Sequence, residues 1–291
     1  MNKNTSHLFS LDLYAGNWRW WFALIAYIFS IILLLFGINH HISMWLMLLL
    51  PILLLWLLTR QSPNKKINTQ TIMQDVGLAW GNSFKTIIYT LLAVIVFTGL
   101  VYLFEQQDKN AEEASKMVMQ SLGFGKHYGK DLMLLLSIGI FAPLNEELLF
   151  RGLIFRSLFN SLFKQKRILN NTSIQTKKWF AFVLAMLVSV FLFASAHGGG
   201  GQDVQMMMLM LMGVLACWLY AVTGALIAPI MFHSINNAIA LWQSKVAGHM
   251  AFSQGIISLD LVILLLPLLT LCIVMVMRWL VSLLSNKLFN L

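Results

Sequence analysis

Residues 132–163 read LMLLLSIGIFAPLNEELLFRGLIFRSLFNSLF, an apolar run with Glu146, Glu147 and Arg151 set in its middle just after Pro143. About 20 residues of helix cross the hydrocarbon core of a bilayer, so this run is too long for one plain crossing. Proline suits the first turn of a helix. The expectation is a broken element, an incoming segment followed by a fresh helix starting near Pro143. Ionisable side chains inside such a run are expensive in lipid and mark either function or a paired structural charge. On a helix Glu147 and Arg151 are four apart and pair, with the acid on the favourable N-terminal side. Glu146 points roughly 100° away and is left as the free base.

The rest of the chain supports a bilayer as solvent. Of 291 residues 59% are hydrophobic and 11% charged, far from the globular balance of about half apolar and a quarter charged. The expected architecture is all-α and polytopic, with about eight transmembrane helices and the broken helix at the Glu146–Glu147 cluster. The spans are Trp20–Phe36, Ile42–Leu58, Phe84–Phe104, Leu132–Phe163, Trp179–Ala196, Met206–Tyr220, Leu226–Trp242 and Ile257–Leu284. No cleavable signal peptide is expected, and the first run is read as a span. No internal repeat emerges.

The net charge of +9 would suggest nucleic acid in a soluble protein. Here the cations sit in short loops, where they set topology and meet anionic headgroups, and no nucleic-acid partner is expected. Arg60, Lys65 and Lys66 lie in one loop, and Arg156, Lys164, Lys166, Arg167, Lys177 and Lys178 in another. The loop 105–131 mixes lysines with Glu105, Asp108, Glu112, Glu113 and Asp131. The first two are read as cytoplasmic, which puts both termini of a multi-pass cell-membrane protein in the cytoplasm. Cys217 and Cys272 fall in apolar runs and read as free buried thiols.

Two further polar clusters interrupt apolar runs. Phe193-Ala-Ser-Ala-His197 ends the fifth span and precedes four glycines, Gly198–Gly201, which permit irregular backbone where it is protein-covered or lines water. His233-Ser-Ile-Asn-Asn237 follows Pro229, and His233 and Asn237 share a helix face. Taken singly, each cluster also reads blandly: a buried ion network, an interfacial histidine, an interhelical hydrogen-bond pair. Counting ~1.5 Å per helical residue from the basic loop 156–178 places Glu146 and His197 at one height, with His233 nearer mid-membrane.

Together the clusters resemble the signatures of the CPBP family of intramembrane endopeptidases, which includes the prenyl-protein CAAX proteases and bacteriocin-processing or self-immunity proteins. The signatures EExxxR, FxxxH and HxxxN are matched by Glu146-Glu147…Arg151, Phe193…His197 and His233…Asn237. The resemblance covers roughly 131–245 as a peptidase core, with 1–130 as N-terminal helices and loops and 246–291 as a C-terminal helix. It implies Glu146, Glu147, His197, His233 and Asn237 as the catalytic set, with Arg151 and Phe193 in support. Glu146 would activate a water, His197 orient it, and His233 with Asn237 stabilise the oxyanion. The implied partners are the bilayer and a membrane-associated peptide or lipidated protein: a bacteriocin, leader or pheromone precursor, or a CAAX tail if prenylated substrates exist. No cofactor is required on this reading. If the mechanism uses zinc, Glu146, His197 and His233 are its ligands. Two other classes stay open, a non-catalytic adaptor or immunity protein that keeps the motifs as polar glue, and a proton-coupled transporter. The missing repeat argues against the transporter.

Overall fold

A computed structural model describes residues 83–105, 111–164, 173–197 and 203–289, with Gly77 and a few positions between 21 and 32. The second expected span, most of the first, the loop 59–82 apart from Gly77, residues 165–172 of the basic loop and the run Gly198–Gly201 lie outside the described residues. Every element among the described residues is helical. These are α1 (Ser83–Glu105), α2 (Ala111–Leu122), a long α3 built of Tyr128–Leu136, Ser137–Phe141, Ala142–Glu147, Leu148–Phe155 and Arg156–Lys164, then α4 (Ile174–Ala196), α5 (Asp203–Thr223), α6 (Ile227–Val246) and α7 (Leu259–Phe289).

Five of these are long and apolar enough to cross a membrane: α1, α3, α4, α5 and α7. Their outward faces are those of lipid-immersed helices. On α1, Thr86, Thr90, Ala93 and Phe97 form a buried stripe, while Ile87, Leu91 and Ile95 are exposed, the three-and-four spacing of a one-sided helix. The expected seventh span is present as α6 but is not among the five. It is the polar helix of the bundle, packed against α1, α5 and α7, and its Phe232 meets Phe97 of α1 edge to face at 5.7 Å.

The break expected at Pro143 is absent. The helix runs on through it and widens instead, with π-helical turns at Ser137–Phe141 and Leu148–Phe155. The reason lies in the ladder of backbone hydrogen bonds. In the first π segment the Ala142 N–H reaches back five residues to the Ser137 carbonyl, so the next carbonyl, Ile138, would need a donor at position 143. Proline has none, and the Gly139 carbonyl loses its four-residue partner for the same reason. Side chains of neighbouring helices fill both gaps. Asn237 Nδ2 donates to the Ile138 carbonyl at 2.7 Å, and Ser234 Oγ and Thr270 Oγ1 to that of Gly139 at 2.7 and 3.3 Å. In lipid an unfilled carbonyl would be costly, so Pro143 ties α3 to α6 and α7 rather than breaking it.

The close fit of α3 to α7 depends on Gly139, where a Cβ would collide with the Leu266 side chain. Gly139→Ala should therefore cost about 1–3 kcal/mol by overpacking and weaken the Ser234 and Thr270 hydrogen bonds. At Gly99 of α1 nothing lies within 4 Å of an added Cβ, so Gly99→Ala should be neutral or mildly stabilising. Thermal unfolding of the two variants in the same micelles checks the contrast.

At one end of the bundle Asp131, wholly buried, stitches two loops together. Its carboxylate accepts from Gly125 N at 3.0 Å and Ser253 N at 2.8 Å. Cys217 is buried as expected, whereas Cys272 is exposed, because α7 offers that side of its apolar surface outward.

Candidate functional site

Each motif spacing acquires a local physical reason. The last carbonyls of a helix have no intrahelical donors. At the end of α4 the His197 ring turns back and satisfies one of them, with Nδ1 2.8 Å from the Phe193 carbonyl. The four-residue gap between Phe193 and His197 is thus a side-chain cap. Glu147 and Arg151 pair across one turn at 3.0 Å, both fully buried. The same Glu147 oxygen, Oε1, also receives His233 Nδ1 from α6 at 2.9 Å.

Phe193 is the apolar centre of this arrangement. The Arg151 guanidinium lies over its ring at 4.4 Å, the rings of His197 and His233 lie 4.6 and 6.1 Å away, and Phe150 packs edge-on at 5.2 Å. A desolvated cation over an aromatic face is favourable by about 2 kcal/mol. Space for the guanidinium comes from Gly213 of α5, where a Cβ would stand 3.4 Å from Arg151 Nη2.

Glu146 projects into the same region. Its Oε2 stands 3.4 Å from His197 Nε2 and 3.7 Å from His233 Nε2. Three residues distant in sequence, on α3, α4 and α6, thus face one another. Burial is graded across them: side-chain exposure is 0% at Glu147 and Arg151, 5% at His233, 25% at Glu146 and 31% at His197. The opening is on the Glu146–His197 side.

Hydrogen-bond chemistry then fixes the tautomers. A carbonyl only accepts, so His197 Nδ1 carries a hydrogen. The Glu147 carboxylate, already paired with Arg151, accepts as well, so His233 Nδ1 also carries one. When neutral, both imidazoles therefore present bare Nε2 lone pairs to a carboxylate oxygen. Three acceptors converging need hydrogens between them. A water supplies two, and a single additional proton makes the whole set neutral: two carboxylates, one guanidinium and one imidazolium. The arrangement can hold a water and take a proton from it.

The reckoning of heights is right for Glu146 and His197, which meet. It fails for His233, which is as close to the carboxylates as His197. The turn between α5 and α6 is the reason. Thr223, Ala225 and Leu226 are buried, and the Leu226 N–H is bound to the Gly77 carbonyl at 2.8 Å. The helix α6 therefore begins inside the protein, and its seventh residue already reaches the site. Asn237 stands one turn further along, with its amide on the Ile138 carbonyl. It braces the π turn beside the site.

Four polar residues near the site escaped the sequence reading. Ser189, Ser234 and Thr270 satisfy carbonyls of α3, with Ser189 Oγ 2.8 Å from the Phe150 carbonyl. Position 139, four before a proline, carried the signal for two of them. The fourth, Asn145, is buried with neither Oδ1 nor Nδ2 hydrogen-bonded. Among the described residues no group of three or more His, Cys, Asp or Glu side chains has the arrangement of a metal site. The separations around Glu146 are ion-pair lengths between side chains that already face each other.

Residues 128–239 match the family model described as type II CAAX prenyl endopeptidase, Rce1-like. The match spans α3 to α6 and contains all three motifs. No curated protein and no solved structure matches the chain.

Proposed function

We propose that this chain, which belongs to the CAAX-type intramembrane peptidase family through residues 128–239, hydrolyses a peptide bond in a small membrane-associated or lipid-bound peptide. The observation that carries the proposal is the meeting of Glu146 with two imidazole nitrogens at 3.4 and 3.7 Å. In this reading a water beside them gives one hydrogen to Glu146 and is aligned through its other hydrogen by the bare Nε2 of His197. Its oxygen attacks the scissile carbonyl. His233, carrying the extra proton, donates from Nε2 to the oxyanion. Collapse of the tetrahedral intermediate expels the amine, which takes the proton from Glu146, and the base returns to its starting state. General-base assistance contributes about 10²–10⁴-fold, and each oxyanion donor about 10²–10³-fold. Glu147 and Arg151 act on His233: their pair fixes which ring nitrogen carries hydrogen and which way the ring faces.

Substrate class follows from access. The site is enclosed by helices with apolar outer faces, which suits a peptide held in the bilayer: a bacteriocin, leader or pheromone precursor, or a prenylated tail. The alternation of helix directions from α3 to α7 puts the Lys164 and Lys177 ends on one side. We assign that side to the cytoplasm, together with both termini. A non-catalytic adaptor would use the same polar residues as interhelical glue. Glue is buried, whereas Glu146 and His197 stay a quarter to a third exposed.

The test is reconstitution into liposomes with a fluorescence-quenched farnesylated peptide ending in cysteine and three further residues, and with a mixture of unmodified amphipathic peptides. Products are read by mass. Cleavage by the wild type of either substrate supports the proposal, and failure on both rejects it. Because the proton balance closes without a metal, prior treatment with a strong chelator should change the rate less than about twofold. A chelator-induced loss restored by zinc would instead make Glu146, His197 and His233 ligands.

A further inference from the structure

The HxxxN resemblance implies Asn237 as a donor to the reacting carbonyl, but in the folded protein that amide already has a task. Its Nδ2 donates to the Ile138 carbonyl of α3 at 2.7 Å. A carbonyl only accepts, so the nitrogen of the amide is the atom that faces it. The next carbonyl, Gly139, is met by Ser234 Oγ at 2.7 Å and Thr270 Oγ1 of α7 at 3.3 Å. Both carbonyls lack a backbone donor for one reason. Position 143 is proline, which has no N–H.

The helix that supplies Asn237 and Ser234 also supplies His233, with Nδ1 2.9 Å from Glu147 Oε1 and Nε2 3.7 Å from Glu146 Oε2. So α6 grips α3 at two levels, at the acids and at the wide turn just before them. That turn is held open by the bond from the Ala142 N–H to the Ser137 carbonyl, five residues back. With the Asn237 donor gone, the Ile138 carbonyl finds a partner most simply by taking the Ala142 N–H in an ordinary four-residue bond. The turn then tightens by one residue, which on a helix is a swing of about 100°. The acids would turn by that angle against the part of α3 before them, which Gly139 seats on Leu266 of α7.

We infer that Asn237 is a positioning residue for the hydrolysis: it stands in for the N–H that Pro143 lacks, keeps the turn before Glu146 wide, and so holds Glu146 against His233. Ser234 and Thr270 do the same for the neighbouring carbonyl. This inference rests on the peptidase reading above, and it takes Asn237 out of the groups that touch the substrate. No covalent step is added.

The test is a double-mutant cycle. Pro143→Ala supplies an N–H that can reach Ile138 in the same five-residue register, so it should make the Asn237 amide dispensable. Wild type, Asn237→Leu, Pro143→Ala and the two changes together are compared in liposomes on the same farnesylated quenched peptide and peptide mixture. Glu146→Gln serves as blank, and thermal unfolding is measured in parallel. Alone, Asn237→Leu should lower kcat about 10²-fold, the cost of a misplaced catalytic group, with KM changed less than about threefold. In the Pro143→Ala background the same change should lower kcat less than about threefold, with the unfolding midpoint recovering. An equal loss of kcat in both backgrounds overturns the inference and puts the amide on the substrate. Undiminished kcat in Asn237→Leu alone overturns it as well. If Asn237→Leu alone does not fold, the doubly changed protein decides: folded and active it supports the inference, inactive or unfolded it defeats it. Absence of any Glu146-dependent cleavage by the wild type defeats the peptidase proposal and this one with it. Glu146-dependent cleavage in which positions 143 and 237 act independently defeats this one alone.

Discussion

Replacing Glu146 with glutamine should abolish hydrolysis, lowering the rate by at least about 10²–10⁴-fold, while the protein still inserts and unfolds as the wild type does. The substitution keeps side-chain volume and removes the ability to accept a proton. It also changes the local electrostatics in a direction that protects the fold. In the native protein Oε2 faces two Nε2 atoms whose tautomers make them acceptors when neutral. A glutamine amide group in that place donates to one of them, so the variant gains a hydrogen bond where the wild type needs a water or an extra proton. Loss of activity therefore cannot be put down to loss of structure. The check is a paired measurement on one preparation: product formation by mass, and the unfolding midpoint. Full activity in a well-folded Glu146→Gln protein would sink both the general-base role and the peptidase reading, and would return the motifs to interhelical glue. His197→Ala is the companion: it removes the water-orienting acceptor and also uncaps the Phe193 carbonyl, so activity should fall together with some stability.

Much of the site was legible in the sequence because helices convert spacing into direction. Glu147 and Arg151 four apart had to pair, and they do. Phe193 and His197 four apart had to share a face, and the ring contact at 4.6 Å follows. That three motifs would meet could not be read from spacing, since nothing local fixes how α3, α4 and α6 cross. There the resemblance carried the expectation. The misreading of Pro143 has a definite cause. Proline suits a first helical turn, so its place in mid-run reads as a fresh start, but two carbonyls freed by a proline can be satisfied from outside, and here serine, threonine and asparagine of α6 and α7 do so. His233 comes closer to Glu146 than a count of heights suggests, because α6 starts in a buried turn.

Arg151→Met should be the most destabilising single change at the site, by about 3–5 kcal/mol, because it leaves the fully buried Glu147 carboxylate without the guanidinium that pairs with it. Arg151 is fully buried, holds Glu147 Oε1 at 3.0 Å and covers the Phe193 ring. Its removal takes an ion pair and an aromatic contact together. Methionine is near in volume and flexible enough to fill the slot beside Gly213, so the cost is electrostatic rather than a cavity. The double change Glu147→Leu with Arg151→Met tests that assignment. With both charges gone, no buried ion is stranded, and stability should return to within about 1–2 kcal/mol of wild type. Activity should not return with it. Glu147 Oε1 is the acceptor that holds the hydrogen on His233 Nδ1, and without it the imidazole can turn or change tautomer and no longer present Nε2 as assumed. Unfolding by increasing denaturing detergent in mixed micelles gives the two stabilities, and the liposome assay gives the rates. A double variant as unstable as the single one would show that packing around Phe193, not charge pairing, dominates there. A double variant with wild-type rate would show that His233 needs no carboxylate to orient it, and the chain of action from Arg151 through Glu147 to the oxyanion would be broken at its middle link.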